Sequence, residues 1–273
     1  MLAHGVPASA GGNLISQSYA LGAQVAYPWL VSRLTQVSFA GGFNIQAERV
    51  TLVSDSFCTF SDDHWRTVDG AVTAQRRNLA GDSTTGVTVG MTQGIPAFGA
   101  NSISPCTGSE GASTGFTKFT AVANHDQPIV GGLSVNFHAL AQAALERLVI
   151  GEQTSFGGSG IGRGYDPASL ASDNGVGVQG ELRYDLHFPK YHVETVQFYG
   201  FVDFAHTWRT EPTPPGLTAG GAQSLASTGF GMRMALLQTV TGGIEFAQQL
   251  KGVPNNDNGK TGSRILFNAA VHY

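Results

Sequence analysis

Charge is what this sequence has least of. Of its 273 residues only 12% are Asp, Glu, Lys or Arg, about half of the roughly 25% carried by an ordinary soluble domain. Long hydrophobic runs are lacking as well: no window approaches the ~20 apolar residues of a membrane helix, and mean hydropathy is −0.02. Low charge without long apolar runs leaves two main options. One is a soluble β-protein rich in Gly, Ser and Thr. The other is a transmembrane β-barrel, whose strands alternate lipid-facing and lumen-facing residues and so average to neutral hydropathy. The net charge of −4 supplies no basic footprint, so no nucleic-acid partner is expected.

Cysteine is scarce too. Cys58 and Cys106 lie in loop-like sequence, compatible either with one disulfide in an oxidising compartment or with two separate thiols. Met1–Gly12 has neither the basic stretch nor the apolar run of a signal peptide, so an exported chain is expected to be a mature or shortened piece. Catalytic and metal motifs are likewise not expected. Gly158, Gly160, Gly162 and Gly164 recur every second residue and do not make G-x-G-x-x-G. The histidines are scattered, and Asp62-Asp63-His64 has no second ligand cluster near it in sequence and reads as an exposed polar loop. Asn255–Gly259 is turn chemistry without the bidentate acid of a calcium loop. No serine-nucleophile elbow is expected. The chain does not read as an enzyme, and no metal or cofactor is implied.

What is present is glycine, 37 residues of it, and alternation. In Val176–Leu186 the even positions are Val176, Val178, Gly180, Leu182, Tyr184 and Leu186, while Glu181, Arg183 and Asp185 fall between them. Period two this regular predicts a strand with one apolar and one charged face. In Val196–Phe204, Phe198, Val202 and Phe204 oppose Gln197, Tyr199, Phe201 and Asp203; in Phe230–Leu236 Arg233 opposes the apolar set; in Val240–Leu250 Glu245 does. The final segment alternates through Ile265, Phe267, Ala269 and Val271 to a terminal Tyr273. Earlier strands are expected at Ser18–Trp29, Leu34–Ala47, Arg66–Leu79, Thr84–Ile95, Thr114–His125 and Gly131–Leu145, with Arg49–His64 irregular and a turn at Asp126-Gln127-Pro128. That makes about eleven strands of roughly 10–14 residues. Tilted strands of ~9–11 residues span a bilayer, whereas soluble sheets use strands nearer five or six. Short connections alternate with long ones, as in bacterial barrels.

Between the sixth and seventh of these strands lies Phe156–Pro167, F-G-G-S-G-I-G-R-G-Y-D-P. So many glycines exclude a stable helix or strand, and Asp166-Pro167 closes the run with turn chemistry. A single cation, Arg163, stands at the tip beside the aromatic Tyr165. Parity places Asp203 on the face opposite Phe198, Val202 and Phe204; if those face lipid, Asp203 faces the lumen.

Ile161-Gly162-Arg163-Gly164-Tyr165 resembles the V-R-G-Y/F signature of the two-partner secretion (TpsB) outer-membrane transporters, the haemolysin secretion/activation proteins. Their superfamily also holds the barrel-assembly insertases. Gly177–Tyr184, G-V-Q-G-E-L-R-Y, resembles the strand that follows the signature. Phe201-Val202-Asp203-Phe204-Ala205 resembles the next strand's F-x-D-x-G, and Ala26–Arg33 the family's Y-P-l-x-x-S-R turn. Gly162 stands where the family has Val, and Ala205 where it has Gly; both residues are small.

The resemblance implies an all-β fold, an antiparallel transmembrane β-barrel in the bacterial outer membrane. Residues 1–273 form a single barrel domain, with 146–175 a signature loop folded into the lumen. Because the family carries POTRA modules and sixteen strands, this chain is expected to be the C-terminal part of a barrel, lacking those modules and the first strands. An odd number of strands does not close in the bacterial pattern. Gly162, Arg163, Gly164 and Tyr165 are implied as the functional loop, Asp203 with Phe201 as its partner on the wall, Glu181 and Arg183 as lumen-facing charges, and Phe267 and Tyr273 as the terminal-strand signal.

The implied function is translocation and activation of a partner exoprotein, haemolysin- or adhesin-like, without cofactor. The other implied partners are outer-membrane lipid and the barrel-assembly machinery during insertion. Three other readings stay open: an insertase of the same superfamily, a passive porin-like barrel, and a soluble Gly/Ser-rich adhesin.

Overall fold

A computed structural model describes residues 13–53, 58–103, 111–188, 193–210, 221–236, 240–252 and 261–271. Its strands are β1 Asn13–Val31, β2 Thr35–Val53, β3 Cys58–Asn78, β4 Ser83–Gly94, β5 Asn101–Ile103, β6 Thr117–Val130, β7 Leu133–Ala144, β8 Thr154–Phe156, β9 Leu170–Ser172, β10 Asn174–His187, β11 Val193–Trp208, β12 Gln223–Leu236, β13 Val240–Gln249 and β14 Ser263–Val271. Among the described residues, eleven of them form one meander in the order β1-β2-β3-β4-β6-β7-β10-β11-β12-β13-β14, with β5 added to β3. Neighbouring strands are antiparallel throughout. β8 and β9 make a separate small hairpin. The fold is that of an outer-membrane barrel wall, as the alternation and strand lengths led us to expect.

Period two explains which face is which. Along β11, Phe198, Val202 and Phe204 are 47%, 61% and 46% exposed, while Tyr199, Phe201, Asp203 and Ala205 are at most 7% exposed. The apolar set therefore points outward and the polar set inward, the reverse of a soluble sheet. Such an outer face is stable in hydrocarbon, where every backbone group must find its partner within the sheet. Connections at one end are short, at 32–34, 79–82, 131–132, 188–192 and 237–239; at the other end 54–57 is short and those at 95–116, 145–173, 209–222 and 250–262 are long. The buried hydrophobic residues gather where the 145–173 connection lies against the inner wall. One cluster joins Phe156, Ile161, Tyr165 and Leu170 of that connection to Ala205 and Leu225.

Two expectations need correction. Residues 49–64 are not irregular: β2 runs to Val53 and β3 begins at Cys58, so Asp62, Asp63 and His64 are strand residues. They read as loop because this stretch extends past the last β3–β4 pair, Thr67–Gly94, where polar cross-strand pairs replace an apolar face. Arg49 and Asp62 sit directly opposite in register with nitrogen and oxygen 2.6 Å apart, and Ser102 on β5 donates to Asp63 at 2.6 Å. Nor is Asp126-Gln127-Pro128 a turn. It belongs to β6, and a register shift between Pro128 and Val130 absorbs the residue that has no N–H to donate. The actual turn is Gly131-Gly132, with φ of +57° and +88°, values that a two-residue hairpin requires and glycine adopts without strain. Cys106, Asn255–Gly259 and Tyr273 lie outside the described residues.

The outward assignment of β11 has a measurable consequence. Val202→Arg, near mid-strand, should cost about 2–4 kcal/mol, read as a lowered urea midpoint of the lipid-embedded chain. Thr241→Arg, on the inner face, should shift that midpoint far less.

Candidate functional site

The 145–173 connection folds back along the inside of the sheet. Its two arms pair as β8 and β9, Thr154 opposite Ser172 and Phe156 opposite Leu170, which presents 157–169 as a tip. The tip is tied internally: the Gly157 amide donates to Ile161 O at 2.9 Å, Gly158 to Tyr165 O at 3.0 Å and Tyr165 to Gly162 O at 2.9 Å. Gly162 takes φ +99°, and a Cβ there would sit 2.8 Å from Leu225 on β12. Glycine is required at that point both for the backbone angle and for the close approach.

The wall beneath the tip is built in rows. Cross-strand register aligns Arg183, Tyr199, Gly231 and Glu245 in one inward row and Glu181, Phe201, Gly229 and Ala247 in the next. Gln179, Asp203, Ser227 and Gln249 form the third. Gly229 and Gly231 leave room for the rings: a Cβ at Gly229 would lie 2.6 Å from the Phe201 ring, and one at Gly231 2.4 Å from the Tyr199 hydroxyl. The rings therefore lie across the wall, with their faces available to cations.

Arg163 reaches all three rows. Its Nε and Nη2 donate to Asp203 Oδ2 and Oδ1 at 3.2 and 3.0 Å. Nη1 donates to Glu181 Oε1 at 2.6 Å and to Glu245 Oε2 at 3.1 Å. The guanidinium carbon stands 3.5 Å from the Phe201 ring centroid. The Asp203 carboxylate also accepts the backbone amides of Gly162 and Arg163, at 3.1 and 3.0 Å, and the Ser227 hydroxyl at 3.2 Å. Burial works against the charged guanidinium, but the hydrogen bonds and charge of Asp203, with Glu245 and Glu181 behind them, outweigh it and push the Arg163 pKa up. Arg163 is 2% exposed. A buried ion pair recovers its desolvation cost only when its geometry is this complete, so the cluster fixes position more than it adds stability.

Around this centre the charges continue outward. Glu181 also receives Arg183 at 2.6 Å and Arg233 at 3.0 Å, and Arg233 lies 3.8 Å over the Tyr199 ring. Tyr199 donates to Glu245 at 2.8 Å. Tyr165, fully buried, places its hydroxyl against the carbonyls of Ala226 and Lys251 and accepts the Ala226 amide at 3.2 Å, which joins the β12 and β13 ends. Gln249 donates to Gly164 O at 2.8 Å.

The structure thus brings Gly162, Arg163, Gly164, Tyr165, Asp203, Phe201, Glu181 and Arg183 together. Phe267 is elsewhere, 75% exposed on the outer face of β14. Glu245, Tyr199, Arg233, Ser227 and Gln249 were not among the expected site residues. Parity alone puts Glu245 and Arg233 on the inward face, but it carries no information on height along the barrel, which register decides. The sequence contains one G-x-S-x-G, Gly111–Gly115. It leads into β6 rather than from strand to helix, and the Ser113 hydroxyl accepts the Gly115 amide at 3.1 Å, so it is not a nucleophile elbow. Among the described residues no group of His, Cys, Asp and Glu is arranged to hold a metal.

The family model described as haemolysin secretion/activation protein ShlB/FhaC/HecB matches residues 36–234. No curated protein is significantly similar in sequence. Among solved structures, CdiB from Escherichia coli superposes with a TM-score of 0.75 at 20% identity, over 95% of this chain and 46% of that one. CdiB from Acinetobacter baumannii gives 0.67 at 17% identity, over 94% and 43%. BamA from Haemophilus ducreyi lacking POTRA domains 1–3 gives 0.61 at 12%, over 94% and 55%. The chain spans less than half the length of either CdiB, and these likenesses establish the fold.

Three substitutions probe the site. Asp203→Ala strands Arg163 among its remaining partners and should cost about 3–5 kcal/mol in urea unfolding, with the Arg163→Ala, Asp203→Ala double variant costing much less than the sum of the singles. Tyr165→Phe removes the buried residue's hydroxyl bonds to the Ala226 and Lys251 carbonyls and the Ala226 amide, and should cost about 1 kcal/mol in the same assay.

Proposed function

The chain belongs to the haemolysin secretion/activation protein family ShlB/FhaC/HecB, and from that membership we propose that it forms the translocating wall of a two-partner secretion transporter in the bacterial outer membrane. Its cargo is a partner exoprotein of haemolysin or adhesin type, carried unfolded from periplasm to cell surface. The observation that carries the reading is the docking of the signature loop inside the sheet, with Arg163 on Asp203, Glu181 and Glu245; the loop, Glu181 and Asp203 fall within residues 36–234, the span that the family model matches.

The geometry supports such a conduit in three ways. First, the loop occupies lumen that would otherwise be open, and its tip is held at defined height. Second, Arg163, Arg183 and Arg233 are matched by Glu181, Asp203 and Glu245, so the cluster presents no strong field of one sign. A passing chain of mixed composition meets no electrostatic trap there. Third, the inner wall towards the short turns mixes polar side chains with small apolar ones. A cavity of about 410 Å³ there carries Asp185, Thr195, Gln197, Arg233, Thr241 and Asn268 among small apolar residues such as Ala235 and Ala270, so hydrogen-bonding groups for an extended backbone alternate with surface that does not hold it. Folding of the cargo outside supplies the direction of transport. The outward apolar face contacts outer-membrane lipid, and the barrel-assembly machinery inserts the chain.

Arg163→Ala in the whole transporter should reduce the amount of partner exoprotein in the culture medium at least several-fold, while the variant still accumulates in the outer membrane as a heat-modifiable barrel. Export at the unsubstituted level would remove the loop from the mechanism.

A further inference from the structure

The loop is held at a second place, far from Arg163 in the wall. After β7 the chain buries Leu148 and Val149 against Trp65, Phe116 and Ala144 and makes a short 3-10 turn, Ile150–Glu152. That turn aims Glu152, 8% exposed, at the inner face of the opposite sector. Glu152 Oε1 accepts Trp65 Nε1 of β3 at 2.7 Å and Gln46 Nε2 of β2 at 3.4 Å. Oε2 pairs with Lys118 Nζ of β6 at 2.7 Å. The Glu152 carbonyl accepts the same Lys118 ammonium at 2.9 Å and Gln142 Nε2 of β7 at 3.1 Å. A Cβ at Gly151 would lie 2.6 Å from the Trp65 ring, so the stalk meets the ring without a side chain between. The contacts are buried, charge-assisted and complementary in shape.

We propose that Glu152, with Lys118 and Trp65, is a second anchor of the lumenal loop, a set of positioning residues that holds the stalk on β2–β7 so that the tip stays within reach of β10–β13. The physical reason is tether length. Without the stalk contact the tip hangs on a loop fixed only at the ends of β7 and β10; with it the free segment on the β7 side begins after Glu152, and a shorter loop raises the effective concentration of Arg163 at its carboxylates. Asp173 closes the other stem: its carboxylate accepts the Leu148 amide at 2.9 Å and the Thr210 amide at 3.1 Å. The loop then bridges two sectors of the inner face and braces the curved sheet, a role that does not depend on what the chain transports.

The test reads tip position directly. Ile161 is buried between the docked tip and the wall, so Ile161→Cys, with Cys58 and Cys106 replaced by Ala, reports docking through its labelling rate with a water-soluble maleimide, which reaches it only when the tip lifts. Glu152→Gln and Lys118→Met should each raise that rate about 1.5-fold, the scale set by lengthening the free loop from 153–173 to 145–173. Lys118→Arg should restore it, and Arg163→Ala should raise it further. Trp65→Phe, which keeps the ring and loses one donor, should give a smaller increase and serves if the charge variants do not fold. Labelling unchanged in folded Glu152→Gln, Lys118→Met or Trp65→Phe, while Arg163→Ala raises it, would overturn the proposal, as would Lys118→Arg behaving like Lys118→Met. Secretion is not part of the readout, so the result is separable from the transport reading.

Discussion

A guanidinium buried inside a β-barrel is the constraint from which the rest of this structure follows. Arg163 is almost wholly removed from water, and an isolated charge there would be prohibitively unstable. Three carboxylates on three strands meet it, and they sit at three different heights on the wall. The cluster is assembled only if β10, β11 and β13 keep their mutual register, because a one-residue slip would turn each carboxylate to the lipid face. Arg163 is thus a check on the wall as much as a tether for the loop.

The wall accommodates the cation with small residues. Gly229 and Gly231 allow Phe201 and Tyr199 to lie flat, and the two rings then carry Arg163 and Arg233 on their faces. Asp203 is filled by donors from the tip backbone as well as from the side chain, so the loop is recognised by shape and not only by charge. On the other sector the stalk uses a different chemistry, a lysine and an indole converging on Glu152. Two unlike contacts hold one loop, and each lies on strands that the other does not touch.

Seen from outside, the same strands obey the lipid. Outward positions are apolar and exposed, inward positions polar and buried against the loop. This inversion accounts for the low overall charge: half of each strand has no use for charged residues, and the other half concentrates them where they are paired. Beyond the β4 end of β2 and β3, Arg49, Asp62 and Asp63 make cross-strand contacts instead.

How much of this was legible beforehand can be argued residue by residue. Alternation alone determined the outward and inward sets of β10–β14, since a period of two leaves no other arrangement for a strand with one apolar face. It also determined the strand count and the position of the glycine-rich loop, because glycine density excludes regular structure. Residues 49–64 and 126–128 were misread because a polar strand segment and a bulged proline carry the composition of loops. The meeting of Arg163 with Glu245, and of Glu152 with Trp65 and Lys118, was decided only by tertiary structure. Those pairs are separated by tens of residues, and whether they meet depends on register across several strands and on which way the loop folds. Local pattern specifies the face a side chain occupies, while height and partner follow from the hydrogen-bond ladders of the whole sheet.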